Sequence, residues 1–128
     1  MKKSILFTLL AGSLLFSTAF ATTYTRYGDT VYDDEGNSYT QYGDTIYGSN
    51  GTSYTKYGDT YYANDGQTYT RYYDTVYRND GTSYSEYGST AYGSDGSSGS
   101  YYNDTLYVQE SDEESDDPNA YYIQSMFR

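Results

Sequence analysis

The chain contains no Cys, no His, no Trp and a single Pro in 128 residues. Without Cys there is no disulfide, no thiolate nucleophile and no zinc–thiolate site. Without His there is no imidazole base, proton shuttle or imidazole metal ligand. Positive charge is also scarce, with 7 basic residues against 18 acidic ones and a formal net charge of −11. Phosphate repels such a chain, so nucleic acid and anionic lipid are poor partners. What is abundant is Tyr, at 22 copies, and Gly, at 13.

The first segment reads as targeting. Met1-Lys2-Lys3 is a basic start, Ile5 to about Phe16 is apolar, and Ala19-Phe20-Ala21 is a small-x-small cleavage pattern. This is the layout of a secretory signal peptide over residues 1–21, cleaved between Ala21 and Thr22. The apolar run is short for a membrane helix, and no second one follows, so no stable span is expected after cleavage. The expected product, Thr22 to Arg128, is exported to the periplasm, the cell surface or the medium. Its Leu, Ile, Val and Phe reduce to Val31, Ile46, Val76, Leu106, Val108, Ile123 and Phe127. So low an aliphatic content with so much net charge normally means disorder. A fold is possible only if the Tyr are ordered, since each can bury about 150–250 Å².

They are ordered. Tyr24, Tyr39, Tyr54, Tyr69 and Tyr84 are fifteen residues apart. Each opens a unit close to Tyr-Thr-x-Tyr-Gly-Asp-Thr-x-Tyr-x-x-Asp-Gly-x-Ser, and a sixth, decayed unit begins near Gly99. Positions 4, 7 and 9 hold Tyr, Thr and Tyr in all six copies. Such a tandem array over residues 22–109 is the dominant feature of the chain.

Each unit carries two turn signals. Gly-Asp at positions 5 and 6 (Gly28-Asp29, Gly43-Asp44, Gly58-Asp59) suits a two-residue type II′ hairpin turn. The fourth unit breaks the pattern with Tyr73-Asp74. Gly at position 13 (Gly36, Gly51, Gly66, Gly81, Gly96) suits a three-residue loop, a type I turn closed by a left-handed bulge. Fifteen is odd and strand side chains alternate, so the bulge must absorb one residue per unit to keep each face in register. Position 4 then faces 7, and 2 faces 9. Position 8 faces position 1 of the next unit. One face carries Tyr, Thr and Ser at positions 2, 4, 7, 9 and 15, without charge. The other carries positions 1 and 8 and a mixed set at 3. The expected fold is therefore all-β, an antiparallel meander of ten to twelve short strands that curls or closes, with a β-solenoid as the alternative.

Residues 110–128 differ. The acidic run Glu110 to Asp117 and Pro118 read as a solvated, partly disordered linker. Ala120 to Arg128 reads as a last strand covering an edge, a fraying end, or a peptide that a partner reads.

No catalytic residue is indicated, because a repeated array does not build a unique constellation. No cofactor is indicated either. Calcium is the best metal candidate, since only oxygen ligands are available, through Asp at positions 6 and 12, but turn geometry already explains those Asp. The candidate ligand-binding residues are the Tyr rows at positions 4 and 9: Tyr27, Tyr32, Tyr42, Tyr47, Tyr57, Tyr62, Tyr72, Tyr77, Tyr87 and Tyr92. Either these rows pack together as a substitute core, or they stack on sugar rings. Arg26, Lys56, Arg71 and Arg78 read as cation–π partners and guards of strand edges.

The run Gly43-Asp44-Thr45-Ile46-Tyr47-Gly48-Ser49-Asn50-Gly51-Thr52-Ser53-Tyr54 is similar to the tandem Tyr-Gly-Asp/Asn-Thr-x-Tyr units of a group of small secreted bacterial proteins. The resemblance covers roughly Tyr24 to Tyr107 and implies export, but no activity. The overall expectation is an exported, non-enzymatic repeat protein with a structural or adhesive role. Its alternatives are a cell-wall glycan-binding module and a calcium-stabilised repeat protein. Exposed strand edges would also permit self-association.

Overall fold

The computed structural model describes residues 21–111 and 118–128. Residues 1–20 of the expected signal segment and most of the acidic run lie outside the described residues. Twelve strands follow one another: β1 (Ala21–Tyr27), β2 (Thr30–Asp33), β3 (Ser38–Tyr42), β4 (Thr45–Gly48), β5 (Ser53–Tyr57), β6 (Thr60–Ala63), β7 (Thr68–Tyr72), β8 (Thr75–Arg78), β9 (Ser83–Tyr87), β10 (Thr90–Gly93), β11 (Ser98–Tyr102) and β12 (Thr105–Gln109). Among the described residues there is one helix, α1 (Ala120–Ser125). Each strand pairs antiparallel with its neighbours, and β1 pairs with β12, so the meander closes into a barrel.

The turns follow from the residues at them. At Gly28-Asp29 only the first residue has positive φ, 62°, which is the type II′ pattern. In the second turn of a unit the Gly51 amide donates to the Gly48 carbonyl, at 3.0 Å, and the Gly48 amide to the Thr52 carbonyl, at 2.8 Å. With Gly51 at φ 94°, this is a type I turn plus bulge. The bulge absorbs the odd residue, and the register is the expected one: Tyr27 opposite Thr30, Thr25 opposite Tyr32, and Val31 opposite Tyr39.

Because the side-chain period is two, one face goes wholly inward. The interior holds Tyr24, Tyr39, Tyr54, Tyr69 and Tyr84 from position 1, and Val31, Ile46, Tyr61, Val76, Ala91 and Leu106 from position 8, all buried. A barrel of twelve strands is too wide for these side chains alone to fill. The remaining space takes α1. Every residue from Ala120 to Phe127 is buried, and they join the interior Tyr and aliphatic residues in one core. Tyr121 stacks on Tyr84 with ring centroids 4.5 Å apart. The Tyr122 hydroxyl bonds Ser97 at 2.8 Å. At the other end of the segment Arg26 of β1 donates to the Met126 carbonyl at 2.6 Å, supplying a cation where the helix leaves carbonyls unpaired.

Two expectations are corrected here. The C-terminal segment is neither a strand nor a frayed end; it is a helix in the barrel lumen, driven there because it is the most apolar stretch beside a lumen that needs filling. Nor do exposed edges remain for self-association, because β1 and β12 pair and each strand of the sheet has two neighbours. Arg26, Lys56, Arg71 and Arg78 therefore guard no edge.

Candidate functional site

Two places in this barrel present concentrated chemistry: its outer wall and one of its mouths. The outer wall comes from the uncharged face. All ten candidate Tyr are exposed there, with Tyr102 and Tyr107 of the sixth unit beside them. They are not a substitute core, since the core is built from positions 1 and 8. Within each unit the two rings meet: Tyr27–Tyr32 at 5.7 Å, Tyr42–Tyr47 at 5.8 Å, Tyr57–Tyr62 at 5.5 Å, Tyr72–Tyr77 at 5.6 Å, Tyr87–Tyr92 at 5.9 Å and Tyr102–Tyr107 at 5.5 Å. These are tilted or edge-on contacts, so ring faces stay open to solvent.

Between the ring pairs run hydroxyl pairs. Thr30 bonds Thr40 at 3.0 Å, Thr45 bonds Thr55 at 3.0 Å and Thr60 bonds Thr70 at 2.9 Å. Thr75–Ser85 and Thr90–Ser100 continue the series, and Thr25–Thr105 closes it across the β1–β12 seam at 3.3 Å. The result is an unbroken girdle in which Tyr pairs alternate with hydroxyl pairs. The acidic residues of the turns flank it at the two rims. Six Tyr pairs on a closed ring stand roughly 60° apart, so they point in six directions.

The mouth on the side of the two-residue turns comes from position 3. That position lies opposite position 8 (Arg26–Val31, Lys56–Tyr61, Arg71–Val76), and paired residues share a face, so it also points inward. It holds Arg26, Gln41, Lys56, Arg71, Glu86 and Tyr101. Arg71 makes a two-pronged bond to Glu86, 2.8 Å at its closer contact, and Arg128 reaches the same carboxylate at 2.7 Å. The Tyr121 hydroxyl donates to Glu86 as well. Burial, and then the Glu86 carboxylate, push the Tyr121 phenol well above its ordinary range, which keeps it a donor. Arg26 lies over the Phe127 ring at 5.3 Å, and Lys56 over Tyr61 at 5.8 Å. These two do act as cation–π partners.

Sequence reasoning missed this mouth. Its signal was the mixed chemistry at position 3, which sits on the inner face beside near-constant neighbours. It also missed why the sixth unit has decayed. Gly99 stands where the other units carry Tyr, and it lies opposite Ala91. The two small residues leave a notch that the Tyr122 ring fills.

No family model, curated protein or solved structure matches this chain. Among the described residues no three acidic side chains converge where a metal ion could sit, so calcium gains no support. Ala21 and Thr22, the expected cleavage site, open β1, and the Thr22 hydroxyl donates to the Glu110 carboxylate. Among the described residues no helix is long and apolar enough to cross a membrane. The strands have four to seven residues, against the roughly 9–11 that a membrane strand needs.

Proposed function

We propose that this is an exported, non-enzymatic repeat protein whose role is adhesive or structural, at the cell envelope or outside the cell, and that the outer Tyr–hydroxyl girdle is its contact surface. One observation carries the reading. The Tyr of positions 4 and 9, unneeded for the core, are all held outward on a closed wall. A row of exposed aromatic rings costs solubility unless it meets something. The closed wall holds the rings rigidly, so little conformational entropy is lost on contact. The acidic rims keep copies soluble while the girdle stays uncharged. Six ring pairs facing outward in different directions suit cross-linking between several surfaces or chains better than gripping one, and the gain is multivalent.

A second reading has its own support. Open ring faces next to hydroxyl pairs suit sugar rings, which stack on aromatic faces and bond through their hydroxyls. Cell-wall glycan is then the surface met.

The test is a graded series on the full chain. One, two and then three ring pairs are converted from Tyr to Thr, which keeps strand preference. Each variant is melted to check the barrel, then applied to peptidoglycan, chitin and plain polystyrene. Retention that falls stepwise on all three supports adhesion, and retention lost on glycan alone supports the second reading. Undiminished retention by the triple variant would sink both.

A further inference from the structure

We propose that the mouth of the barrel between α1 and strands β5–β8 is a binding site for a small oxyanion, of carboxylate or phosphate size. The proposal is independent of the girdle. One helix cannot fill a twelve-stranded lumen, and α1 leans to one side. Its ring and hydroxyl contacts are with Tyr84, Ser97 and Tyr101 on β9, the β10–β11 turn and β11. A gap is left against the adjoining wall, β5–β8. It is a cavity of about 40 Å³, with Lys56, Asp59, Arg71, Gln124 and Arg128 among its lining and Tyr61, Tyr69, Val76 and Tyr121 as its walls. One water needs about 10–15 Å³ on this measure, so the cavity has room for a group of a few heavy atoms.

One donor in it, the Gln124 amide, has no acceptor at all, and two others share one. Gln124 is 3% exposed, and its side-chain nitrogen has no hydrogen-bond partner. A buried amide donor left unpaired is uncommon and calls for a partner. Lys56 sits at the exposed lip with its ammonium over the Tyr61 ring. Arg71 and Arg128 share the single carboxylate of Glu86. The lining side chains plus Glu86 thus carry three cations against two carboxylates. Three of the five basic residues among the described residues meet here, in a chain whose formal net charge is −11. Glu86 is occupied by two guanidinium groups and the Tyr121 hydroxyl, which leaves the Asp59 carboxylate to set against Lys56, the remaining guanidinium N–H groups and the Gln124 amide. That is the chemistry of an oxyanion seat rather than of a cation site. Tyr61 stays a neutral wall, because burial raises its phenol.

The experiment follows the Gln124 side-chain amide of the full chain by NMR. Sodium acetate, sodium phosphate and sodium chloride are titrated in turn at matched ionic strength. Gln124→Leu identifies the signal by its disappearance. The proposal expects a saturable shift with acetate or phosphate and none with chloride; which of the two saturates first names the anion. Lys56→Gln, at an exposed position, should weaken that binding about tenfold while leaving the melt unchanged. Signals that drift linearly with all three salts, or stay still, mean that the cavity holds water only and overturn the proposal. So does a Lys56→Gln variant that melts normally and binds as tightly as the parent.

Discussion

Gly99→Ala is a sharp test of how the helix is seated. A Cβ built at Gly99 would lie 2.9 Å from Tyr122 Cε1, 3.0 Å from Tyr122 Cδ1 and 3.1 Å from Leu106 Cδ1. The Tyr122 ring has little room to retreat. It is fully buried, its hydroxyl is tied to Ser97, and it meets Tyr84 at 5.8 Å and Tyr121 at 5.0 Å between centroids. Overpacking of this kind costs about 1–3 kcal/mol. Removing Gly from a strand returns about 0.5–1 kcal/mol. The net loss is about 1 kcal/mol, or roughly 4–8 °C in melting temperature for a domain of this size. Consensus reasoning expects the opposite, since Gly99 is the odd member of its repeat position and restoring a larger residue should stabilise. Thermal melts of parent and variant, each also in a Tyr122→Leu background, separate the two views. The smaller Leu makes room, so Gly99→Ala should cost nothing there, or gain a few tenths of a kcal/mol. A Gly99→Ala protein that melts at or above the parent, or loses the same amount in both backgrounds, would refute the seating of Tyr122 in the notch.

Four further outcomes are expected. Tyr73 holds φ 57° with its side chain 94% exposed, where most other units place Gly; left-handed strain of about 1–2 kcal/mol exceeds the added chain entropy of Gly, about 0.5–1 kcal/mol, so Tyr73→Gly should raise the urea midpoint. Asn103→Gly, at the same φ of 57°, should change it little, because Asn tolerates that region. Burial raises the phenols of Tyr24, Tyr84, Tyr101, Tyr121 and Tyr122 above their unfolded value; stability is therefore full below about pH 10 and is lost as pH rises toward the folded values, which urea midpoints at about pH 9 and pH 11 will read. Asp80 is held at about 2 by its hydrogen bond from Arg78, so its contribution is present above about pH 4 and lost as pH falls through 2. Its side chain is 44% exposed, so Arg78→Gln should flatten the difference in urea midpoint between about pH 5 and pH 2 by only a few tenths of a kcal/mol.

The wall of the barrel was legible because its causes are local. Gly at positions 5 and 13 dictates two turn types, and the parity of fifteen then forces which residues share a face; Val31 opposite Tyr39 and Thr25 opposite Tyr32 follow from counting. The lumen was not legible, because its causes are long-range. Nothing near Tyr122 in the chain announces Ser97 or Gly99, and nothing near Arg71 announces Arg128. The tail was misread for the same reason. As an isolated stretch Ala120–Arg128 has no strong helix signal: the residue at its N-cap makes no side-chain cap bond and its last turn lacks a basic residue. It is a helix because a lumen surrounds it, where a backbone group must find its partner within the segment or, like the Met126 carbonyl, from a side chain of the wall.

The distribution of variation among the six units bears on function. In an ordinary domain the interior is constrained by packing and the surface is free to vary. Here the order is reversed. On the outer face, Tyr at 4, Thr at 7 and Tyr at 9 hold in every copy, with Thr or Ser at position 2. On the inner face position 1 keeps Tyr in five units and has Gly99 in the sixth, but position 3 runs Arg26, Gln41, Lys56, Arg71, Glu86, Tyr101, position 8 runs Val31, Ile46, Tyr61, Val76, Ala91, Leu106, and position 10 runs Asp33, Gly48, Ala63, Arg78, Gly93, Val108. Recent duplication alone would leave both faces equally uniform. Sheet stability alone does not require it either, since a cross-strand pair contributes about 0.2–1 kcal/mol and many residue pairs supply that. The inner variation has a physical cause: one helix breaks the symmetry of the lumen, so each strand meets a different neighbour. The outer uniformity is accounted for only in part by the ring pairs and hydroxyl pairs that it builds. It is what a surface would keep if each of its facets met the same kind of partner, as the contact role proposed for the girdle requires, whereas at the mouth each unit contributes something different.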